Sequence, residues 1–211
     1  MHFFPEELEQ YAIAHTKPAS EVLQALERET YARIYMPQMV SGHLQGQFLR
    51  MISMMVQPKI ILEIGTFTGY SAICLSAGLQ EGGALYTIDV NAELESMCRK
   101  YFEKAGLTSK IKYLLGNAVE IIPQLDAALD LVFIDADKEN YSKYYDLVFD
   151  KLNPGGVILA DNVLWSGKVV EPQQDAETKA LVEFSDKIQR DERVDNVLVT
   201  IRDGLMMARK K

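Results

Sequence analysis

At 211 residues, almost half of them apolar and a quarter charged, the chain has enough material for one domain with a substantial core. The formal net charge of -8 at pH 7 disfavours nucleic acid as a partner, because phosphate binding needs a basic surface. No apolar run approaches the ~20 residues that span a bilayer, and the opening MHFFPEELEQY lacks a basic, then apolar, leader, so a cytoplasmic chain without a membrane partner is expected.

Taken in chain order, the first part reads as helical. Pro5-Glu6-Glu7 has the form of a helix start with acids in its first turn. Ser20-Glu21 opens a second helix with Val22, Leu23 and Leu26 on one face. A third covers about 44–56 and stops before Pro58. The methionines 36, 39, 51, 54 and 55 read as core filler. Residues 59–64 form an apolar run halted by Gly65, the pattern of a buried strand. A helix over 69–79 and a strand over 84–89 follow. Asn91 is placed to cap the helix carrying Met97, Cys98 and Phe102. Next come a strand at 111–115, a short helix at 118–125, a strand at 129–135 and a helix at 140–152. Asn153-Pro154-Gly155-Gly156 reads as a helix-to-strand turn before a fifth strand at 156–160. After a long loop at 162–175 come a helix at 176–190 and two apolar runs at 194–201 and 204–209. Asp203-Gly204 between those runs signals a hairpin and an antiparallel last strand. Alternating strands and helices specify a parallel sheet covered on both faces. Cys74 and Cys98 both fall in helices and read as buried thiols.

Ligands of open parallel sheets bind beyond the carboxyl ends of the strands. Here those ends carry Glu63, Asp89, Asp135 and Asp161. One such acid is an ordinary helix cap; four on one rim would repel one another without cations or hydroxyl donors. The first loop, Glu63 to Gly69, is GxxxG, unlike the GxGxxG of dinucleotide binders. Such a loop suits a ligand without pyrophosphate, such as S-adenosylmethionine. Asp89 has two acceptor oxygens for ribose hydroxyls, and Glu63 is placed towards the amino acid end of the cofactor. Asp135-Ala136-Asp137-Lys138 and Asp161-Asn162 offer two carboxylates and an amide oxygen, a hard oxygen set suited to Mg²⁺ or a related cation. The competing reading is a pair of helix caps with Lys138 as an ion-pair partner. His2, His15 and His43 have no partner at zinc-ligand spacing, although His43 is near the candidate site in sequence. Trp165 is a candidate wall for a flat ring, and Tyr141, Tyr144 and Tyr145 read as helix packing or a cover for the cofactor.

The segments VSGHLQGQFL, ILEIGTFTGYSAICLS, YTIDV, GNAVEIIPQL, LVFIDADKENYSKYY, LNPGGVILADNVLWSGKV and DGLMMARK together resemble the cation-dependent class I O-methyltransferases of the caffeoyl-CoA and catechol type. The resemblance runs from about residue 39 to the C-terminus. It implies a Rossmann-like methyltransferase fold, a seven-stranded mostly parallel sheet with the last strand antiparallel, in one domain over 1–211. Residues 1–57 would be a helical extension serving the acceptor pocket and a homodimer. It implies that S-adenosylmethionine, leaving as S-adenosylhomocysteine (SAH), meets Ser41, Glu63, Gly65, Thr66, Ser71, Asp89, Ala118, Asp137 and Tyr144. It further implies a metal, Mg²⁺ or else Mn²⁺ or Ca²⁺, on Asp135, Asp161 and Asn162, with Lys138 as general base and a small catechol-like or hydroxycinnamoyl-like acceptor. The 162–175 loop and the N-terminus match neither named type closely. Three other readings compete. A dinucleotide oxidoreductase is opposed by the missing GxGxxG. A non-catalytic nucleoside-binding module is opposed by the intact Asp135, Lys138, Asp161 and Asn162 set. A methyltransferase acting on nitrogen or on a macromolecule would not need the paired acids.

Overall fold

The computed structural model describes residues 5–211; His2 lies outside them. Helix α1 (Glu6–Ala14) begins after Pro5 with three acids in its first turn and buries no residue. Helix α2 (Glu21–Arg33) is capped by Ser20, whose hydroxyl accepts from the Leu23 amide, and it buries Leu23, Leu26 and Thr30. Helix α3 (Gly42–Val56) turns Gln45, Gly46, Leu49, Ile52 and Ser53 inward.

The sheet follows. Its strands are β1 (Ile60–Ile64), β2 (Ala84–Asp89), β3 (Ile111–Leu115), β4 (Leu129–Ile134), β5 (Leu152–Asp161), β6 (Val194–Val199) and β7 (Leu205–Lys210). Their order is β3-β2-β1-β4-β5-β7-β6. Strand β7 runs antiparallel to β5 and β6, and the others are parallel to one another. Strand order reverses between β1 and β4, so a crevice opens beyond their carboxyl ends. Helices α4 (Tyr70–Leu75), α5 (Glu95–Lys104), α6 (Ala118–Ile121), α7 (Tyr141–Phe149) and α8 (Ala176–Arg190) complete the two outer layers.

Side chains alternate between two cores, as the pleat requires. Ile61, Leu85, Leu131, Phe133 and Leu159 join the core under α2–α5. Leu62, Ile88, Val132, Ile134 and Ile158 join the core under α6–α8.

Several elements differ from expectation. The helix expected over 69–79 ends at Leu75 and tightens into a 3-10 turn at Ser76–Gly78. There Gly78 lies so close to α3 that a Cβ would sit 2.0 Å from the Ser53 carbonyl oxygen. The 118–125 helix is likewise split, α6 giving way to a 3-10 turn that contains Pro123. Residues 153–156 do not precede β5, which already begins at Leu152. They form an irregularity within it, since Leu129 pairs with Leu152 while Leu131 pairs with Val157. The Asn153 amide donates to Asp130 at 2.8 Å, and Gly155 takes φ +80°, which lets the extra residues loop out without ending the strand. The long loop contains a kinked 3-10 stretch, Trp165–Val170.

The methionine reading is corrected. Met36, Met39, Met51, Met54 and Met55 are all exposed, Met55 by 67%. On α3 the buried stripe is set by Gln45, Leu49, Ile52 and Ser53, and helical spacing throws 51, 54 and 55 to the other side. Cys74 and Cys98 are free and buried, as expected. Among the described residues, no helix is long and apolar enough to cross a membrane.

Candidate active site

A cavity of about 2500 Å³ lies over the carboxyl ends of the strands and extends under the N-terminal helices. Its floor begins with the loop after β1. Gly65 takes φ +97°, and a Cβ there would fall 1.8 Å from the Asp135 carbonyl oxygen, so only glycine fits where β1 and β4 converge. The Asp89 carboxylate shapes this loop. Its Oδ2 accepts from the amides of Thr66 (3.0 Å) and Phe67 (2.8 Å), and its Oδ1 from Asn91 (2.9 Å). Asp89 is thus a loop clamp that still lines the cavity, not a cap on the following helix.

Glu63 sits behind the cavity wall, fully buried. Its Oε2 accepts from the Thr87 hydroxyl at 2.5 Å, and its Oε1 has no partner among the described residues. Burial pushes this carboxyl up to about 8, against the opposing Ser71 and Thr87 hydroxyls and with reinforcement from the charges of Asp135 and Asp89. Ser41, Thr66, Ser71, Ala118 and Tyr144 line the cavity as buried residues, and the partly buried His43 joins them. Asp137 is exposed at the rim and accepts hydrogen bonds from Tyr144 and Asn140.

The second cluster is drier. Lys138 is 6% exposed. Its ammonium donates to the Tyr141 hydroxyl (2.7 Å), Asn162 Oδ1 (2.9 Å) and Asp135 Oδ1 (3.2 Å). It also lies 4.8 Å from the Tyr141 ring centroid and 5.6 Å from that of Trp165. Asp161 is buried beside it and accepts from Gln45 Nε2 at 2.6 Å through Oδ2. Its Oδ1 has no partner among the described residues. Burial, then the neighbouring charge of Asp135, holds the Asp161 carboxyl well above the ordinary carboxylate range. Asn162 (φ +59°), Trp165 (+46°), Ser166 (+56°) and Arg202 (+47°) all take left-handed backbone around this cluster. Concentrated strain of this kind marks sites held in place by their surroundings.

The structure therefore brings Asp135, Lys138, Asp161 and Asn162 into one neighbourhood. Among the described residues no three His, Cys, Asp or Glu side chains gather as a metal cluster; this set has two acids and an amide. Trp165 forms part of the wall, and its buried Nε1 is without a partner among the described residues. Sequence reasoning missed Gln45 and Arg202, which contact Asp161 directly and through one amide. The available signal was a long polar side chain on the apolar stripe of α3. Tyr141, expected as helix packing or a cover for the cofactor, is a buried partner of Lys138.

A seven-stranded sheet with this strand order, one antiparallel strand and an acid-rimmed crevice at the β1/β4 reversal defines a Rossmann-like methyltransferase. The family model described as O-methyltransferase matches residues 13–211. The chain is 37% identical over 172 residues to the mouse catechol O-methyltransferase domain-containing protein 1, covering 79% of this chain and 66% of that protein, just under two thirds. It is 33% identical over 180 residues to caffeoyl-CoA O-methyltransferase 2 of Petunia hybrida, covering 79% of this chain and 74% of the relative. The crystal structure of an O-methyltransferase from Bacillus cereus in complex with SAH superposes with a TM-score of 0.90 at 28% identity, over 97% of both chains. The chain belongs to the O-methyltransferase family, and it is an S-adenosylmethionine-dependent enzyme. Methyl transfer thereby displaces the dinucleotide and non-catalytic readings.

Proposed function

We propose that the enzyme moves the methyl group of S-adenosylmethionine to a hydroxyl of a small catechol-like or hydroxycinnamoyl-like acceptor held beside a divalent cation. The observation that carries this reading is the buried Asp161 Oδ1, without a partner among the described residues, next to a second carboxylate, Asp135. A buried carboxylate oxygen without a donor is costly unless a ligand completes it. All-oxygen donors suit Mg²⁺ first, then Mn²⁺ or Ca²⁺. Asp135, Asp161 and Asn162 would hold the ion. When bound, it supplies Lewis acidity that favours the ionised acceptor hydroxyl.

The chain's own groups do the rest. Lys138 has all three ammonium protons engaged, two of them by the candidate ligands Asp135 and Asn162. It accepts a proton at Nζ only after releasing one, and in its neutral form it keeps two donors and gives up one of these three partners. Trp165 offers a flat apolar wall for the acceptor. The first loop with Gly65 and Thr66, Asp89 and the Asp137–Tyr144 pair form the cofactor side, together with Ser41, Ser71 and Ala118; Glu63 supports them from behind. Holding both reactants in line supplies ~7 kcal/mol or more of the barrier reduction. Phenolate and sulfonium lose charge as they meet, so the dry surroundings of Lys138 and Asp161 favour transfer.

On this reading the chain acts as one domain, with α1–α3 shaping the acceptor end. The exposed methionines and Tyr35, 88% exposed, are apolar surface of the kind a homodimer covers. Two free buried thiols fit the reducing cytoplasm. The test is turnover of a panel of catechols and hydroxycinnamates with labelled cofactor. Asp161→Ala should bring metal-dependent turnover to background while SAH affinity, read by calorimetry, stays at the wild-type value. Full activity after exhaustive chelation would remove the metal from the reaction.

A further inference from the structure

We propose that Gln45, itself held by Arg202, is a positioning residue that fixes Asp161 so that one carboxylate oxygen stays available to the cation; this rests on the metal reading above. Gln45 is 1% exposed on the buried stripe of α3, beside the apolar Leu49 and Ile52. A buried amide must have both ends bonded, and here both partners are ionic groups. Its Nε2 donates to Asp161 Oδ2 at 2.6 Å, and its Oε1 accepts from Arg202 Nη1 at 3.0 Å. The polarity of this chain is fixed. A guanidinium only donates, so the amide oxygen must face Arg202 and the NH₂ must face Asp161. Arg202 is fixed in turn by the carbonyl oxygens of Val40 and Ser41. Its own backbone is left-handed, at φ +47°.

The arrangement has a chemical consequence. One oxygen of Asp161 is occupied and the other has no partner among the described residues. A guanidinium placed directly on Asp161 would neutralise it and compete with a cation. The intervening amide passes on a hydrogen bond and an orientation without a formal charge. The relay also joins α3, the end of β5 and the β6–β7 connection, three segments that must stay in register at the site.

A purely structural role would loosen the whole site together. A positioning role weakens cation binding alone. Gln45→Met keeps the side chain's length and removes the donor; Arg202→Lys keeps charge but removes the planar guanidinium whose Nη1 contacts the Val40 and Ser41 carbonyls and Gln45. On the full chain, Mn²⁺ affinity is read by electron paramagnetic resonance and SAH affinity by calorimetry. Gln45→Met is expected to lose about 10–100-fold in Mn²⁺ affinity with SAH affinity unchanged, and Arg202→Lys a smaller part of that loss. Should Gln45→Met not fold, Arg202→Lys decides. Mn²⁺ affinity equal to wild type in the folded variants, or a parallel fall in Mn²⁺ and SAH affinity, overturns the proposal. A wild-type protein that binds no Mn²⁺ overturns the metal reading, and the relay's role with it.

Discussion

Glu63 combines complete burial with a carboxyl oxygen that has no partner among the described residues, so its ionised form is disfavoured. Its ordinary value is 4.5 and burial raises it to about 8. Between those values the unfolded chain releases this proton and the folded chain keeps it. The folded state binds more protons across that interval, so this group's contribution to stability is complete below 4.5 and is lost as pH rises towards about 8. Glu63→Gln cannot ionise and escapes that loss. Its melting temperature relative to wild type should therefore shift in the variant's favour from about pH 5 to about pH 8 by scanning calorimetry. Parallel curves for the two proteins would show that the acid titrates normally. The same burial keeps Glu63 behind the cavity wall, where it braces Thr87 and, through Thr87, the Thr66 hydroxyl of the first loop.

At the scale of elements, the close approach of β1 and β4 is the feature on which the site depends. The Ile64 carbonyl accepts from the Asp135 amide at 2.8 Å, and Gly65 crosses directly over the Asp135 carbonyl. Gly65→Ala should cost at least about 1–3 kcal/mol from backbone strain alone. Its clash with backbone should also displace the loop that Asp89 clamps. Urea unfolding and SAH calorimetry would read both effects, and a variant with wild-type stability and affinity would refute the packing argument. This glycine was legible, because a glycine after a buried strand and before a helix has few other uses. The strand ends were legible too, since apolar runs stop where acids begin. Gln45 and Arg202 were not. They are 157 residues apart, and nothing local in a glutamine or in an arginine before Asp-Gly says that they meet. The methionines misled for a related reason. Apolar character alone does not choose the face of a helix; the phase of Leu49 and Ile52 does. The Asn153–Gly156 turn signal was sound in its chemistry, but the hydrogen bond to Asp130 on β4 absorbed it into a strand.

For the whole molecule, charge discriminates among acceptors. The relatives include enzymes named for a caffeoyl-CoA acceptor. A coenzyme A thioester carries several phosphate charges, which need free cations for recognition. The lysines and arginines lining the described part of the cavity are Arg33, Lys138 and Arg202, beside His43, and acids outnumber them. Lys138 and Arg202 are committed to hydrogen bonds, and Arg33, 74% exposed, has one loose ion pair. Lys138 bonds Asp135, Asn162 and Tyr141, Arg202 bonds carbonyl oxygens and Gln45, and Arg33 lies 3.6 Å from Glu29. The chain as a whole is at -8, so long-range steering also works against a polyanion. Free catechols, neutral or cationic, should accordingly be methylated with a higher kcat/KM than the matching coenzyme A thioesters. Raising ionic strength should narrow the gap, because screening relieves repulsion of the anionic substrate and leaves a neutral one unaffected. A competition assay with caffeoyl-CoA and a free catechol at low and high salt measures both, and a preference for the thioester at low salt would defeat the charge argument.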